Sequence, residues 1–518
     1  MLRVHFRPGS VTRGAAQRQG DTEPLLTRGR GRATFGRGTM DSLWDFSTGL
    51  SAAGTLIGFL SLAFIPLVLL RRKDPAATFA WILVLLFVPV LGVVLFWFLG
   101  RDRVRRPVRE RIIGGADLRG RITQRLSGQF DHALLERALD QQPLEQRGVM
   151  RLAARLGKME IVAGNDAQVL VGAPATYAAL LDAIERATDH VHLEYYIFRA
   201  DRSGKRLIEA LERAAARGVR VRLLYDGYGS VGLRRHLKGV LAAGGYARPF
   251  FPLSVLRRAW TVNLRNHRKL VVVDGRLGFT GGINVGDMFL EWRDVHLRLE
   301  GPVVAELQAM FAADWYLATR FDLSDPAFFP VLEARGDAVA QVFGSGPDES
   351  LEAIHKLYFA AIASARQRVV LATPYFVPDK AMSVALQTAA LRGVDVHLIV
   401  PARSNHRVTF HAGRSFYDEL LAAGVAIHEY EAGMLHTKAM VVDDRFGTVG
   451  TFNLDSRSFR LNFELVAVLY DEASVERLAA LLAEDLEASR RVELEGWRQR
   501  SLSTRIKEGF ARLLSPLL

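Results

Sequence analysis

Cysteine is absent from the 518 residues, which excludes disulfides, a thiol nucleophile and any cysteine-ligated metal. Lysine is scarce. Only 9 stand against 59 arginines, so lysines that recur at matched positions carry information. Two long stretches lack charge altogether: neither Thr48–Leu70 nor Ala76–Gly100 holds an Asp, Glu, Lys or Arg. Soluble cores seldom use such runs, which suit a bilayer core of about 30 Å, or roughly 20 helical residues. The charge that remains leans positive. A net charge of +13 points to an anionic partner, either nucleic acid or an anionic membrane. Residues 1–39 supply much of it, through eight arginines against Asp21 and Glu23.

Residues 1–39 are rich in Gly and Arg without a hydrophobic period and read as a disordered basic extension, with Met40 a candidate natural start. Residues 40–113 are expected to form a two-helix membrane anchor, with Trp44, Phe46, Trp81 and Trp97 near the run ends as interfacial aromatics. A cleaved signal peptide fits poorly, because a second run follows the first. Arg101, Arg103, Arg105, Arg106, Arg109 and Arg111 follow the second run, and this positive bias places the rest of the chain on the cytoplasmic side.

Residues 114–158 read as a polar, helix-compatible connector. Beyond it the order of elements repeats. Helix Tyr177–Ala187, strand His192–Phe198, helix Gly204–Arg217 and strand Val219–Tyr225 are answered by Leu351–Ala365, Val369–Phe376, Lys380–Leu391 and Val394–Val400. Gly218 and Gly393 each end a helix before a strand, within Arg-Gly-Val in both copies. The expectation is a duplicated α/β protein with lobes at 159–335 and 336–490. In the tail, 491–518, Arg498, Arg500, Arg505, Lys507 and Arg512 interleave with Leu502, Ile506, Phe510, Leu513 and Leu514. Such a helix suits either an anionic lipid surface or the flank of the lobes.

The chemistry sits in a repeated motif. The run NHRKLVVVDGRLGFTGGIN ends at Asn284 and HTKAMVVDDRFGTVGTFN ends at Asn453, and the two agree in register at His267/His436, Lys269/Lys438, Asp274/Asp443, Gly281/Gly450 and Asn284/Asn453. Leu270–Val273 and Ala439–Val442 read as buried strands, and side-chain alternation puts His267 with Lys269, and His436 with Lys438, on one side. The small residues after each turn would let the backbone approach a ligand closely. Two such copies facing each other would surround a tetrahedral anion. One imidazole can attack phosphorus while the other protonates the departing alkoxide. The lysines and asparagines can stabilise charge on the non-bridging oxygens, with no metal or cofactor required. Asp274 and Asp443 complete the motif, although at the ends of buried strands a turn or ion-pair role suits them equally. Tyr196 and Tyr375, at strand ends, could line the pocket or pack.

These residues resemble the paired HKD motifs of the phospholipase D superfamily, whose members form a phosphohistidine intermediate. From about Asp41 onward, including RRKDPAATFAWILVLLFVPVLGVVLFWFLGR, the text resembles the bacterial cardiolipin synthases. The resemblance implies two phospholipase D-like α/β lobes with one active site at their seam, preceded by two transmembrane helices in the bacterial cell membrane. It implies transfer of a phosphatidyl group from one phosphatidylglycerol to another, with phosphatidylethanolamine an alternative partner and no nucleic acid. Asp294, 27 residues after His267, and Glu464, 28 after His436, fall where the family places a carboxylate that orients a histidine. Thr451 stands where the second motif commonly has serine, and Asp455, Arg457 and Ser458 follow the family pattern. The rival readings are a hydrolytic phospholipase D, a nuclease and a catalytically dead lipid-binding scaffold.

Overall fold

The computed structural model describes residues 63–70, 75–98, 106–140, 142–157, 159–251, 264–346 and 352–518. The basic extension 1–39, Met40, Trp44, Phe46 and most of the first apolar run lie outside them. The chain divides between Arg101 and Asp102 into two units.

In the first unit the second apolar run forms two helices, Pro75–Phe87 and Pro89–Phe98, where one span was expected. Pro89 is the cause: its ring lacks an N–H and clashes with the carbonyl four residues back. No described helix is long and apolar enough to cross a membrane. Val68, Leu85 and Phe96 form a small core with Trp81, whose ring meets Phe96 edge-on at 5.4 Å. Phe79, Phe87, Val90 and Leu91 are exposed, so the two described helices carry apolar side chains on their outer faces as well as in their small core.

In the second unit the duplication is visible strand by strand. The first lobe contributes β1 (Val162–Val171), β2 (His190–Tyr195), β3 (Arg220–Asp226), β4 (Tyr246–Phe250), β5 (Arg265–Asn266), β6 (Leu270–Val273), β7 (Leu277–Gly281) and β8 (Val295–Glu300). The second contributes β9 (Ala338–Ser345), β10 (Arg368–Ala372), β11 (Asp395–Pro401), β12 (Ala426–Tyr430), β13 (Ala439–Val442), β14 (Phe446–Gly450), β15 (Asn462–Leu469) and β16 (Ser489–Arg491). The sheet runs β16-β12-β11-β10-β13-β14-β15-β9-β1-β8-β7-β6-β2-β3-β4. Read outward from the antiparallel β1/β9 pair, both halves have the same order, β1-β8-β7-β6-β2-β3-β4 against β9-β15-β14-β13-β10-β11-β12. The two lobes therefore share one continuous sheet.

Helices cover its faces. Val303–Thr319 is buried almost throughout, and its Leu307, Met310 and Phe311 share a core with Leu118, Ile122 and Leu126 of helix Arg106–Ser127. Full burial of a leucine contributes about 1.5–3 kcal/mol, and with Val342, Val370, Ile399 and Val449 in the same cluster, helix Arg106–Ser127 belongs to a core that both lobes share. It starts before residue 113 and runs through the expected domain boundary. The described helices within 114–158, read as a polar connector, are packed against the lobes, with Val149, Met150 and Ala153 of helix Leu144–Leu156 in the second lobe's core.

Candidate active site

Both motif strands are found where alternation places them, β6 and β13. The residues preceding each one cross to the other lobe. β5 pairs in parallel with β15, and a parallel bridge joins Arg293 to Leu435. In consequence the His267 amide donates to Phe463 O at 2.9 Å and the His436 amide to Arg293 O at 2.7 Å. The backbone of each motif histidine is held by the opposite lobe.

The carboxylates are exchanged in the same way. Nδ1 of His267 lies 2.8 Å from Glu464 Oε2, and Nδ1 of His436 lies 2.5 Å from Asp294 Oδ2. The nearest acid in sequence does not serve either histidine; the acid from the other copy does. A carboxylate on Nδ1 selects the tautomer with the proton there and leaves the Nε2 lone pair for chemistry. Glu464 is heavily supported. Thr451 Oγ1 donates to it at 2.5 Å, Ser458 Oγ at 2.8 Å and Asn462 Nδ2 at 3.1 Å. Asp294 accepts from Val295 N at 2.8 Å, and a Cβ at Gly282 would collide with its Oδ1. Gly282 thus makes room for this carboxylate. Gly281 and Gly450 are likewise crowded by neighbouring strands, the first by Val295 O and the second by Leu465 O, so their smallness serves sheet packing where ligand approach was expected.

Electrostatics at the seam follow from burial. Lys269 and Lys438 are buried, and their ammonium groups donate to the carbonyls of His267 (2.7 Å) and His436 respectively. Desolvation pulls Lys269 down to about 7, with Lys438 adding to the effect, and desolvation takes Lys438 to about 8. Burial also lowers both imidazoles, His436 to about 3 with Lys438 contributing. Burial alone would raise Asp294 and Glu464. The cations beside them outweigh it and hold both carboxyls below their usual range. Both imidazoles thus hold a proton less readily than a free histidine, and an arriving phosphate anion favours protonation of one of them.

A lysine held this far below its unfolded value costs stability at neutral pH. The unfolded chain binds more protons between about pH 7 and 10.5, so wild-type stability rises with pH across that window. We expect Lys269→Met to lower turnover about 10²–10³-fold. Its stability relative to wild type should fall by about 3 kcal/mol between pH 7 and 9.5, as most of the wild-type penalty is lifted. Melting curves at both pH values check this, and a pH-independent difference would contradict the depressed lysine.

The remaining candidates separate cleanly. Asn284 Oδ1 accepts from Ile197 N at 3.1 Å, and its loop is fixed by Tyr177, whose hydroxyl donates to Asn284 O at 2.6 Å. Asn453 Oδ1 is buried without a hydrogen-bond partner among the described residues. Tyr196 packs edge-on against His267 at 4.9 Å and Tyr375 against His436 at 6.4 Å, so both border the imidazoles. Asp274 and Asp443 take a structural task in place of the catalytic one. With φ of 53° and 51°, each folds back on the start of a neighbouring strand. Asp274 accepts from the amides of Thr188, Asp189 and His190, and Asp443 from those of Arg366, Gln367 and Arg368. Trp292, 5.0 Å from His436, and Asn462 were not singled out in the sequence. Their signal was proximity to Asp294 and Glu464. Among the described residues no cluster of three or more His, Cys, Asp or Glu could hold a metal.

Two imidazoles, each with a buried lysine and a carboxylate from the opposite half of a duplicated sheet, define a phospholipase D-type site for phosphodiester transfer. A family model described as "Cardiolipin synthase, PLD-like domain" matches residues 180–315 and 358–486, and one described as "Phospholipase D-nuclease N-terminal" matches 59–101. A cardiolipin synthase of Geobacillus sp. (strain WCH70) is 39% identical over 90% of this chain and 95% of its own. The major cardiolipin synthase of Bacillus subtilis (strain 168) is 37% identical over 89% and 98%. The solved phosphatidylserine synthase of Haemophilus influenzae Rd KW20, at 12% identity, shares the fold with a TM-score of 0.56 over 72% of this chain and 100% of that one. The chain belongs to the cardiolipin synthase family of the phospholipase D superfamily.

Proposed function

We propose that this phosphatidyltransferase condenses two phosphatidylglycerol molecules into cardiolipin and glycerol through a phosphatidyl-histidine. The observation that carries the reading is the exchange of carboxylates, His267 with Glu464 and His436 with Asp294, beside two buried lysines. Nε2 of His267 attacks phosphorus, the bond to the glycerol oxygen breaks, and His436 gives that oxygen its proton. His436, now neutral, takes the proton from a hydroxyl of the second lipid as that oxygen attacks phosphorus and the P–N bond breaks. His267 is assigned the nucleophile because Glu464, held by three neutral donors, is well fixed to stabilise the positive ring that bonding at Nε2 creates. Lys269, Lys438, Asn284 and Asn453 bind the non-bridging oxygens.

The same reading puts the chain in the bacterial cell membrane with its lobes on the cytoplasmic side. The apolar exteriors of helices Pro75–Phe87 and Pro89–Phe98 support the membrane placement, since a charge-free helix pair with an apolar exterior has no aqueous counterpart of comparable stability. Purified protein in mixed micelles with phosphatidylglycerol as sole lipid should yield cardiolipin and glycerol in equal amounts by mass spectrometry. Phosphatidic acid with glycerol would make water the acceptor. Product appearing only after phosphatidylethanolamine is added would replace one of the two substrates.

A further inference from the structure

The last long helix, Leu502–Leu513, is inside out. Its Glu508 and Ala511 are buried while Leu502 (70% exposed), Ile506 (57%), Phe510 (72%) and Leu513 (74%) face away from the protein. The spacings of four, four and three residues put these side chains on one stripe. The inward face is the charged one. Glu508 accepts from Arg500 at 3.1 Å and lies 3.7 Å from Arg414, and Arg414 in turn pairs with Glu429 at 2.5 Å. Stripping one partner from a buried ion pair leaves an uncompensated charge, so the helix cannot roll over to hide its apolar side without a heavy loss from this network. Its orientation is therefore built in.

Arg505 and Lys507 are exposed and flank the stripe, roughly 100° to either side of its centre at 100° per residue. The helix lies along Arg407–Arg414, whose N-cap is His406. The His406 ring packs on Tyr375 at 5.2 Å, and Tyr375 borders His436. One helix separates the stripe from the rim of the site.

We propose that Leu502–Leu513 is an interfacial helix that lies in the surface of an anionic bilayer, with Leu502, Ile506, Phe510 and Leu513 among the acyl chains and Arg505 and Lys507 at the phosphates. Charge complementarity selects this occupant. A protein partner of matching apolar shape would not need cations on both edges of the stripe, whereas an anionic lipid surface attracts each basic residue that reaches it. The function of the helix is to seat the rim of the site on the lipid it draws from.

The test uses the full-length chain carrying Phe510→Trp, reconstituted in nanodiscs of phosphatidylcholine and phosphatidylglycerol. Lipids brominated near the carbonyl should quench the difference emission, variant minus parent, by at least twofold. Arg505→Glu with Lys507→Glu should reduce that quenching. Difference emission that stays unquenched in the membrane-integrated protein would overturn the proposal and make the stripe a contact with another protein surface, a second copy included. The readout needs no turnover, so it stands apart from the reaction proposed above. As a second arm, Leu502→Ser, Ile506→Ser, Phe510→Ser and Leu513→Ser combined should lower turnover of bilayer lipid several-fold and leave turnover of a dissolved short-chain substrate unchanged. Equal loss on both substrates would also count against it.

Discussion

His267→Ala and His436→Ala are each expected to remove turnover by about 10⁴-fold or more. In the route proposed above, one change deletes the atom that bonds to phosphorus and the other deletes the proton donor for a poor alkoxide leaving group, so neither step has a substitute. Losses in residues that act as a unit do not add, and the double variant should be little worse than either single one. A neutral detergent quench of wild type during turnover should hold a phosphatidyl adduct on a single imidazole, His267 in the assignment above. Turnover that survives in the double variant would sink the covalent route. An adduct on His436 would exchange the two roles and leave the route intact. The fold should tolerate both changes, because the backbone amides of His267 and His436 keep their cross-lobe bonds to Phe463 and Arg293.

Much of this site was readable in the chain before any coordinates. Leu270–Val273 and Ala439–Val442 are strands at the residues expected, because a short apolar run ending at Asp leaves little else for a buried segment to do. Helix Lys380–Leu391 also has the limits expected, with Asp379 capping its start through Met382 N. The pairing of acids with histidines was not readable. Spacing reports which residues share a strand, whereas Glu464 meets His267 only because the lobes exchange strand edges at their seam, and no local pattern encodes that. The packed layer at 114–158 was missed for a related reason. Its apolar positions are thinly spread, and their partners on Val303–Thr319 lie far along the chain. The break at Pro89 has a plain signal in the proline itself, which the length of the apolar run around it outweighed.

Glu464→Gln should lower kcat about 10³-fold with KM within about twofold, because the fully buried carboxylate would act through the His267 ring it bonds. A glutamine amide can donate to Nδ1 of His267 and so draw the ring proton to Nε2, which then has no lone pair for phosphorus. Asp294→Asn should do the same to His436, with a smaller structural cost, since Asp294 lacks the Thr451, Ser458 and Asn462 donors that converge on Glu464. The exchange of partners between lobes gives the experiment its discriminating readout. Carbethoxylation mapped by peptide mass spectrometry should change in rate at His267 when Glu464 is altered, and at His436 when Asp294 is altered. Pairing within each copy would reverse both effects. Glu464→Asp should recover part of the lost rate, because it restores the charge and leaves the acceptor one methylene short of Nδ1. A carboxylate that merely propped up the seam would instead show equal losses for Gln and Asp, with thermal stability falling alongside activity.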